Sequence, residues 1–267
     1  LPFSAARPTL SAANHREGTM SRHILITGGS RGIGAAVARL CGARGWAVTL
    51  NYRADAAAAE AAVAAVEAAG GRATAVQGDR AETGAIATLW DAAEAAFGPV
   101  DGFVNNAGVI GRAAPLAERP PEDVKRLVDL NVTGALLAAR EAARRMPTDR
   151  SGRGGAIVNL SSAAARLGGA GGLTDYAATK GAMDTLTWGL GQELAPGGVR
   201  VNGVRPGIIV TDIHGDTGDP ERVARLGKAT PMGREGTAEE TAEVIVWLLS
   251  DAASYVVGAI IDVSGGR

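Results

Sequence analysis

Short apolar runs alternate along this chain with longer alanine-rich stretches, and no other feature restricts the possible folds so tightly. The runs at 23–27, 47–51, 73–77, 102–105, 156–160, 199–204 and 259–263 read as strands. The stretches at 33–43, 56–69, 83–97, 122–129, 133–145, 175–194 and 238–249 read as helices. Such repetition implies parallel strands joined by right-handed helical crossovers. The strands are almost wholly apolar, as in a sheet covered by helices on both faces. No linker interrupts the 267 residues, so the expectation is one α/β domain over 20–267, a doubly wound parallel sheet of about seven strands. Asp55 is read as an N-cap and Gly70-Gly71 as a C-cap of the alanine-rich helix. Residues 168–172, rich in glycine, are expected to be flexible.

The leader differs. Residues 1–19 carry two prolines and no hydrophobic period. They read as a disordered leader or expression remnant, with Met20 near the natural start. A transit peptide is the alternative, since Arg7 and Arg16 face only one acid, Glu17, but an amphipathic stripe is missing.

Composition excludes several function classes. A net charge of −1 provides no global field for nucleic acid or anionic lipid. Arg140, Arg144 and Arg145 read as a solvated helix face rather than a nucleic-acid site. No apolar run approaches the ~18 residues that a membrane span requires. His15, His23 and His214 have no metal-ligand spacing. Ser162 has no Gly-x-Ser-x-Gly setting, which argues against serine hydrolysis. Asn131-Val132-Thr133 and Asn159-Leu160-Ser161 match a glycosylation pattern by coincidence. The single Cys41 rules out an internal disulfide, is expected to be buried, and fits a reducing, cytoplasmic setting.

Thr27-Gly28-Gly29-Ser30-Arg31-Gly32-Ile33-Gly34 follows the first strand and opens the first helix. Glycines permit a sharp turn and close approach of a ligand, and the free N–H groups at the helix start attract an anion. In this strand–turn–helix setting the expected ligand is a dinucleotide pyrophosphate. The second strand ends at Asn51-Tyr52-Arg53, with an arginine and no acid. A carboxylate there takes ribose hydroxyls, whereas an arginine accommodates a 2′-phosphate. With Arg31 as a second cation, NADP(H) is favoured and NAD(H) stays open.

Tyr176 and Lys180, four residues apart, share one face of a helix, and Ser162 lies upstream. A lysine ammonium near the phenol favours its ionised form. For acid–base work near neutrality the phenol must fall by about three pH units, or about 4 kcal/mol. One lysine supplies only part of that, so a second cation is required.

Taken together, these residues resemble the short-chain dehydrogenase/reductase family, and the match runs from about Ser21 to Arg267. The resemblance implies a Rossmann-like fold and assigns the turn at Gly28, Ser30, Arg31, Gly32, Ile33 and Gly34 to the cofactor. It adds Asn51, Asp79, Arg80, Asn105, Ala107 and Gly108, then Pro206, Gly207, Ile209 and Thr211, with Tyr176 and Lys180 also touching the cofactor. It implies a catalytic set of Asn131, Ser162, Tyr176 and Lys180, with oxidised nicotinamide as the missing cation. Two departures stand out. The Ser162–Tyr176 interval is one residue longer than in many members, which makes Ser161 a competitor. Arg80 stands where an apolar residue is usual, and is read as reaching adenine or the 2′-phosphate. The expected activity is an NADP(H)-dependent carbonyl reductase or alcohol dehydrogenase on a small molecule. The alternatives are a 3-oxoacyl-thioester reductase and a non-catalytic dinucleotide sensor. The substrate is expected against 109–121 and 208–232. The resemblance also implies a homo-oligomer, a tetramer foremost, with helices 133–145 and 176–194 suited to subunit contacts.

Overall fold

The computed structural model describes residues 21–82, 84–211, 219 and 221–267. The expected leader, Met20, Thr83 and His214 lie outside the described residues. In chain order the elements are β1 (His23–Ile26), α1 (Gly32–Ala43), β2 (Ala47–Tyr52), α2 (Ala56–Ala68), β3 (Arg72–Gln77), α3 (Ala85–Phe97) and β4 (Gly102–Asn105). Then follow α4 (Pro121–Val128), a π-helical turn (Asp129–Thr133), α5 (Gly134–Arg145), β5 (Gly155–Leu160), α6 (Ala164–Leu167) and α7 (Thr174–Leu194). The chain closes with β6 (Val199–Pro206), α8 (Arg222–Lys228), α9 (Ala238–Leu249) and β7 (Ile260–Val263).

All seven strands are parallel, in the order β3-β2-β1-β4-β5-β6-β7. The order reverses between β1 and β4, and this is where an open α/β sheet leaves a crevice at its carboxyl edge. Successive side chains of a strand point to opposite faces. Ile24 and Ile26 therefore join Val37 and Cys41 of α1, Val66 of α2 and Ile245 and Leu249 of α9. Leu25 joins Phe103, Ile157 and Val201 against Trp90 of α3, Ala138 and Ala142 of α5, and Leu190 of α7. Both faces are covered, which is why the strands are apolar throughout.

Local signals are realised where they were strong. Asp55 accepts from Ala58 N at 3.0 Å. Beyond α2, Gly70 N donates to Glu67 O and Gly71 N to Val66 O, the paired bonds of a Schellman ending. Cys41 is fully buried, and burial pushes its thiol up to about 12. Two short helices, α6 and α8, have too few turns for a period to be visible. The glycine-rich run 168–172 forms a turn in which Leu173 N donates to Gly169 O and Ala114 N to Gly172 O. The arginine patch is an ion-pair cluster in which Arg145 bonds Asp91, Glu94 and Glu141.

Phe103 is fully buried on β4, with its ring centroid 5.4 Å from that of Trp90. Phe103→Ala should cost about 3–5 kcal/mol of unfolding free energy. The expected readout is a lower urea midpoint with an unchanged slope.

Candidate active site

The turn after β1 is held by the turn after β4. Thr27 Oγ1 accepts from Asn106 N at 3.0 Å and Ala107 N at 3.2 Å. Asn106 Nδ2 donates to the carbonyls of Thr27 and Gly28, both at 2.9 Å. Gly28 has φ +63°, and a Cβ on Gly34 would stand 2.3 Å from Gly28 O. Only glycine lets α1 start this close to the turn. The first intrahelical bond runs from Ala35 N to Arg31 O, so the N–H groups of Gly32, Ile33 and Gly34 have no partner within the helix.

A cavity of 390 Å³ lies over this turn. Its walls include Gly28, Ser30, Arg31, Gly32 and Ile33, then Asn51 and Arg53 at the end of β2, and Asp79 after β3. On the far side it is bounded by Asn106, Ala107, Gly108 and Thr211. A cleft lined by a glycine turn, a helix start and the arginines Arg31 and Arg53 fits a dinucleotide in donor set. Arg53 is exposed there. Asn51 spends its amide on the carbonyls of Val76 and Gly78, fixing the ends of β2 and β3.

Two of the expected cofactor residues are tied to the interior by hydrogen bonds. Arg80 turns inward: its guanidinium donates to Leu130 O at 2.5 Å and Asn105 Oδ1 at 3.4 Å. It is 5% exposed, and burial lowers its pKa to about 10. Arg80 still lines the cleft, and its head group braces the floor through Leu130 O and Asn105. Asn105 is likewise internal, donating to Ala135 O and Asn159 Oδ1.

A second cavity of 280 Å³ shares Ile33, Asn106 and Thr211 with the first. Ser162, Tyr176 and Lys180 meet in it. The Ser162 hydroxyl lies beside the Tyr176 phenol and acts to lower its pKa. Ser162 Oγ also accepts from Ala164 N at 3.1 Å, which fixes its rotamer. Ser161 is committed elsewhere, since its Oγ donates to Lys180 O at 3.0 Å. The longer Ser162–Tyr176 interval is absorbed by α6 and the glycine turn.

Lys180 Nζ donates to Leu160 O at 2.8 Å and lies 5.8 Å from the Tyr176 ring centroid. The expected lowering of the phenol by this lysine is not seen in the protein alone. Burial raises the Tyr176 pKa above its ordinary value, and Ser162 opposes this in part. The lysine itself is lowered from 10.5 to about 7, first by burial and then by the Arg80 charge, with Asp184 opposing. Asn131 is 2% exposed within the π-helical turn. It accepts from Val109 N at 2.9 Å and donates to Val109 O at 2.8 Å and Thr179 Oγ1 at 3.2 Å. A Cβ on Gly108 would stand 3.3 Å from Asn131 Oδ1 and 3.4 Å from Lys180 Nζ, so these three residues converge.

The segment after β6 closes the floor. Pro206 O accepts from Ala163 N, and Gly207 N donates to Val263 O. Ile209 is buried and bridges to Gly236. Thr211 packs on the turn, with its Cγ2 3.3 Å from where a Gly32 Cβ would be.

Sequence reasoning missed other residues. Arg119 and Asp175 form a buried ion pair at 2.6 Å, with side chains 4% and 6% exposed. Asp175 also accepts from Tyr176 N at 2.8 Å. This clamp fixes the start of α7 and hence the tyrosine. The acid immediately before Tyr176 was its one local signal; its partner is 56 positions away. Arg222 and Arg267 also line the second cavity, with no motif around either to announce them. Among the described residues, no group of His, Cys, Asp and Glu has the arrangement of a metal site.

Comparisons with known proteins agree with this geometry. Residues 28–267 match the family model described as enoyl-(acyl carrier protein) reductase. An uncharacterized oxidoreductase of Escherichia coli, YgfF, is 46% identical over 243 residues, covering 91% of this chain and 98% of its own length. The 3beta-hydroxysteroid dehydrogenase 1 of Eggerthella lenta is 41% identical over 249 residues, covering 91% of this chain and 92% of the relative. A solved short-chain dehydrogenase/reductase from Serratia marcescens superposes with a TM-score of 0.85 at 34% identity, covering 92% of this chain and 98% of that one. The chain therefore belongs to the short-chain dehydrogenase/reductase family, and is an oxidoreductase of alcohols and carbonyls that binds a nicotinamide dinucleotide.

Proposed function

We propose that the protein reduces a ketone, and in reverse oxidises the matching secondary alcohol, with NADP(H) as cofactor and Tyr176 as acid and base. The observation that carries this reading is the meeting of Ser162, Tyr176 and Lys180 in one cavity that adjoins the cleft over the glycine turn.

When bound, the nicotinamide supplies the hydride and, once oxidised, a positive charge beside the site. Ser162 and Tyr176 donate hydrogen bonds to the substrate oxygen, where negative charge builds. Tyr176 then gives its proton to that oxygen. In the protein without cofactor, burial holds the phenol above its ordinary range, so it is protonated and able to donate. Lys180 holds ribose hydroxyls of the cofactor and recharges the tyrosine. Asn131, fixed on both main-chain groups of Val109, orients a water that links Lys180 to solvent. Apolar walls at Ile110, Leu173 and Ile208 keep bulk water from the reacting oxygen.

The preference for NADP(H) over NAD(H) is supported by Arg53 and Arg31, both of which line the cleft. The nearby Asp55 carboxylate is engaged with Ala58 N and does not offer itself to a ribose. The buried Cys41 thiol supports a reducing, cytoplasmic setting. Exposed Leu136 on α5 and Trp188 on α7 support subunit contacts on those helices, with a tetramer as the expected assembly.

Tyr176→Phe should lower kcat by about 10²–10⁴. NADPH affinity, read by fluorescence titration, should stay within about twofold; a variant that still turns over at the parent rate ends the assignment. Arg53→Asp should weaken NADPH by about tenfold or more, with NADH much less affected. Equal losses for both cofactors would remove Arg53 from 2′-phosphate recognition.

Lys180 adds a stability prediction. Its pKa is lowered on folding, so between about 7 and 10.5 the unfolded chain binds more protons than the native one. Stability contributed by this group therefore rises with pH across that window, by up to about 1.4 kcal/mol per pH unit. Urea unfolding of the cofactor-free protein should show the parent gaining on Lys180→Met from pH 7 to pH 10. A gap that stays constant would show that Lys180 titrates alike in both states.

A further inference from the structure

The cavity that holds Tyr176 has an apolar wall of Ile110, Leu167, Leu173 and Ile208 beside its catalytic polar groups. Two arginines break that pattern, Arg222 at the start of α8 and Arg267 beyond β7. Neither belongs to the acid–base set or to the dinucleotide cleft. Arg222 Nε is buried without a hydrogen-bond partner among the described residues. A donor left so is costly, and a charged one more so.

The carboxylates nearby are spent on other cations. Asp219 pairs with Arg225. Asp262 pairs with Arg166 at 3.2 Å and lies 3.7 Å from Arg205. The main-chain oxygen of Arg267 accepts from Ser264 Oγ and from Arg166. Arg222 and Arg267 are close enough to repel, and among the described acids Asp219 offsets the Arg222 charge only in part. Burial lowers the Arg222 pKa, and the Arg267 charge is the next cause. Two like charges facing one cavity, one with an orphaned donor, are stabilised by a small anion that takes both forks.

We propose that the substrate is an oxo acid or hydroxy acid, with its carboxylate bound by Arg222 and Arg267 and an apolar skeleton spanning to Tyr176. This rests on the ketone-reductase reading above and specifies its substrate class. Both arginines line the cavity that holds Tyr176, while Arg225 and Arg166 are ion-paired. A small carboxylate therefore fits better than the acidic surface of a carrier protein.

The test compares 5-oxohexanoate with its methyl ester, using the full chain and NADPH. The acid should be reduced with a kcat/KM about tenfold or more above that of the ester. Arg222→Gln and, separately, Arg267→Gln should shrink that acid-to-ester ratio, chiefly through KM for the acid. Equal kcat/KM for acid and ester, a preference for an acyl thioester over the free acid, or a ratio unmoved by both substitutions would overturn the proposal.

A binding arm separates this idea from the catalytic one. Hexanoate should raise the melting temperature of the NADP⁺-loaded protein more than hexanamide does, and Arg222→Gln should abolish the difference. If hexanoate binds through Arg222 while no ketone is reduced, the anion site stands and the reductase reading fails. If the two ligands shift melting equally while neutral ketones are reduced, the anion site fails and the reductase reading stands.

Discussion

The joint between the turns after β1 and β4 is the constraint on which the rest of the site depends. Thr27 and Asn106 exchange bonds across it through both side-chain and main-chain atoms. It sits where the strand order reverses, so the sheet opens there and nowhere else along the same edge. The close approach of Gly34 to Gly28 then brings the α1 start over the opening. The dinucleotide cleft and the apolar cavity both abut this joint, sharing Ile33 and Asn106.

Behind that joint the molecule holds an unusual amount of buried polarity. Arg80, Asn105, Asn159 and Thr187 form a hydrogen-bonded chain beneath the carboxyl edge, all of them 5% exposed or less. Lys180 is nearby and bears the consequence, since the Arg80 charge helps depress it. Burying a charge is expensive unless hydrogen bonds replace its water. Here carbonyls of Leu130 and Leu160 do that work for Arg80 and Lys180. The same carbonyls fix where the two cations sit, so electrostatic cost and positional accuracy come from one arrangement. The Arg119–Asp175 pair does the equivalent for Tyr176 from the opposite side.

Much of this was legible in the chain. The strands carry their two-sided burial in their composition, and β4 and α9 begin and end where periodicity places them. Tyr176, Lys180 and the glycine turn were readable because each is a local pattern with a direct physical meaning. Reading was less successful where a side chain chooses between two directions. Arg80 follows β3 beside the cleft, and nothing local tells whether its guanidinium faces ligand or interior. Lys180 shares a helix face with Tyr176, yet its ammonium finds Leu160 O rather than the phenol. Ser161, next to Ser162 in sequence, likewise has its hydroxyl taken by a carbonyl on another element.

By itself, then, the sequence determined the order of strands and helices, the parallel sheet, and the glycine turn at the head of α1, because each is a short-range pattern enforced by backbone geometry. Only the tertiary structure decided which polar groups face the cavity and which brace it from behind. It alone raised the phenol, lowered the lysine, and brought Arg222 and Arg267 to one apolar pocket. Those outcomes depend on burial and on partners distant in sequence, and neither is encoded within a few residues of the group it governs.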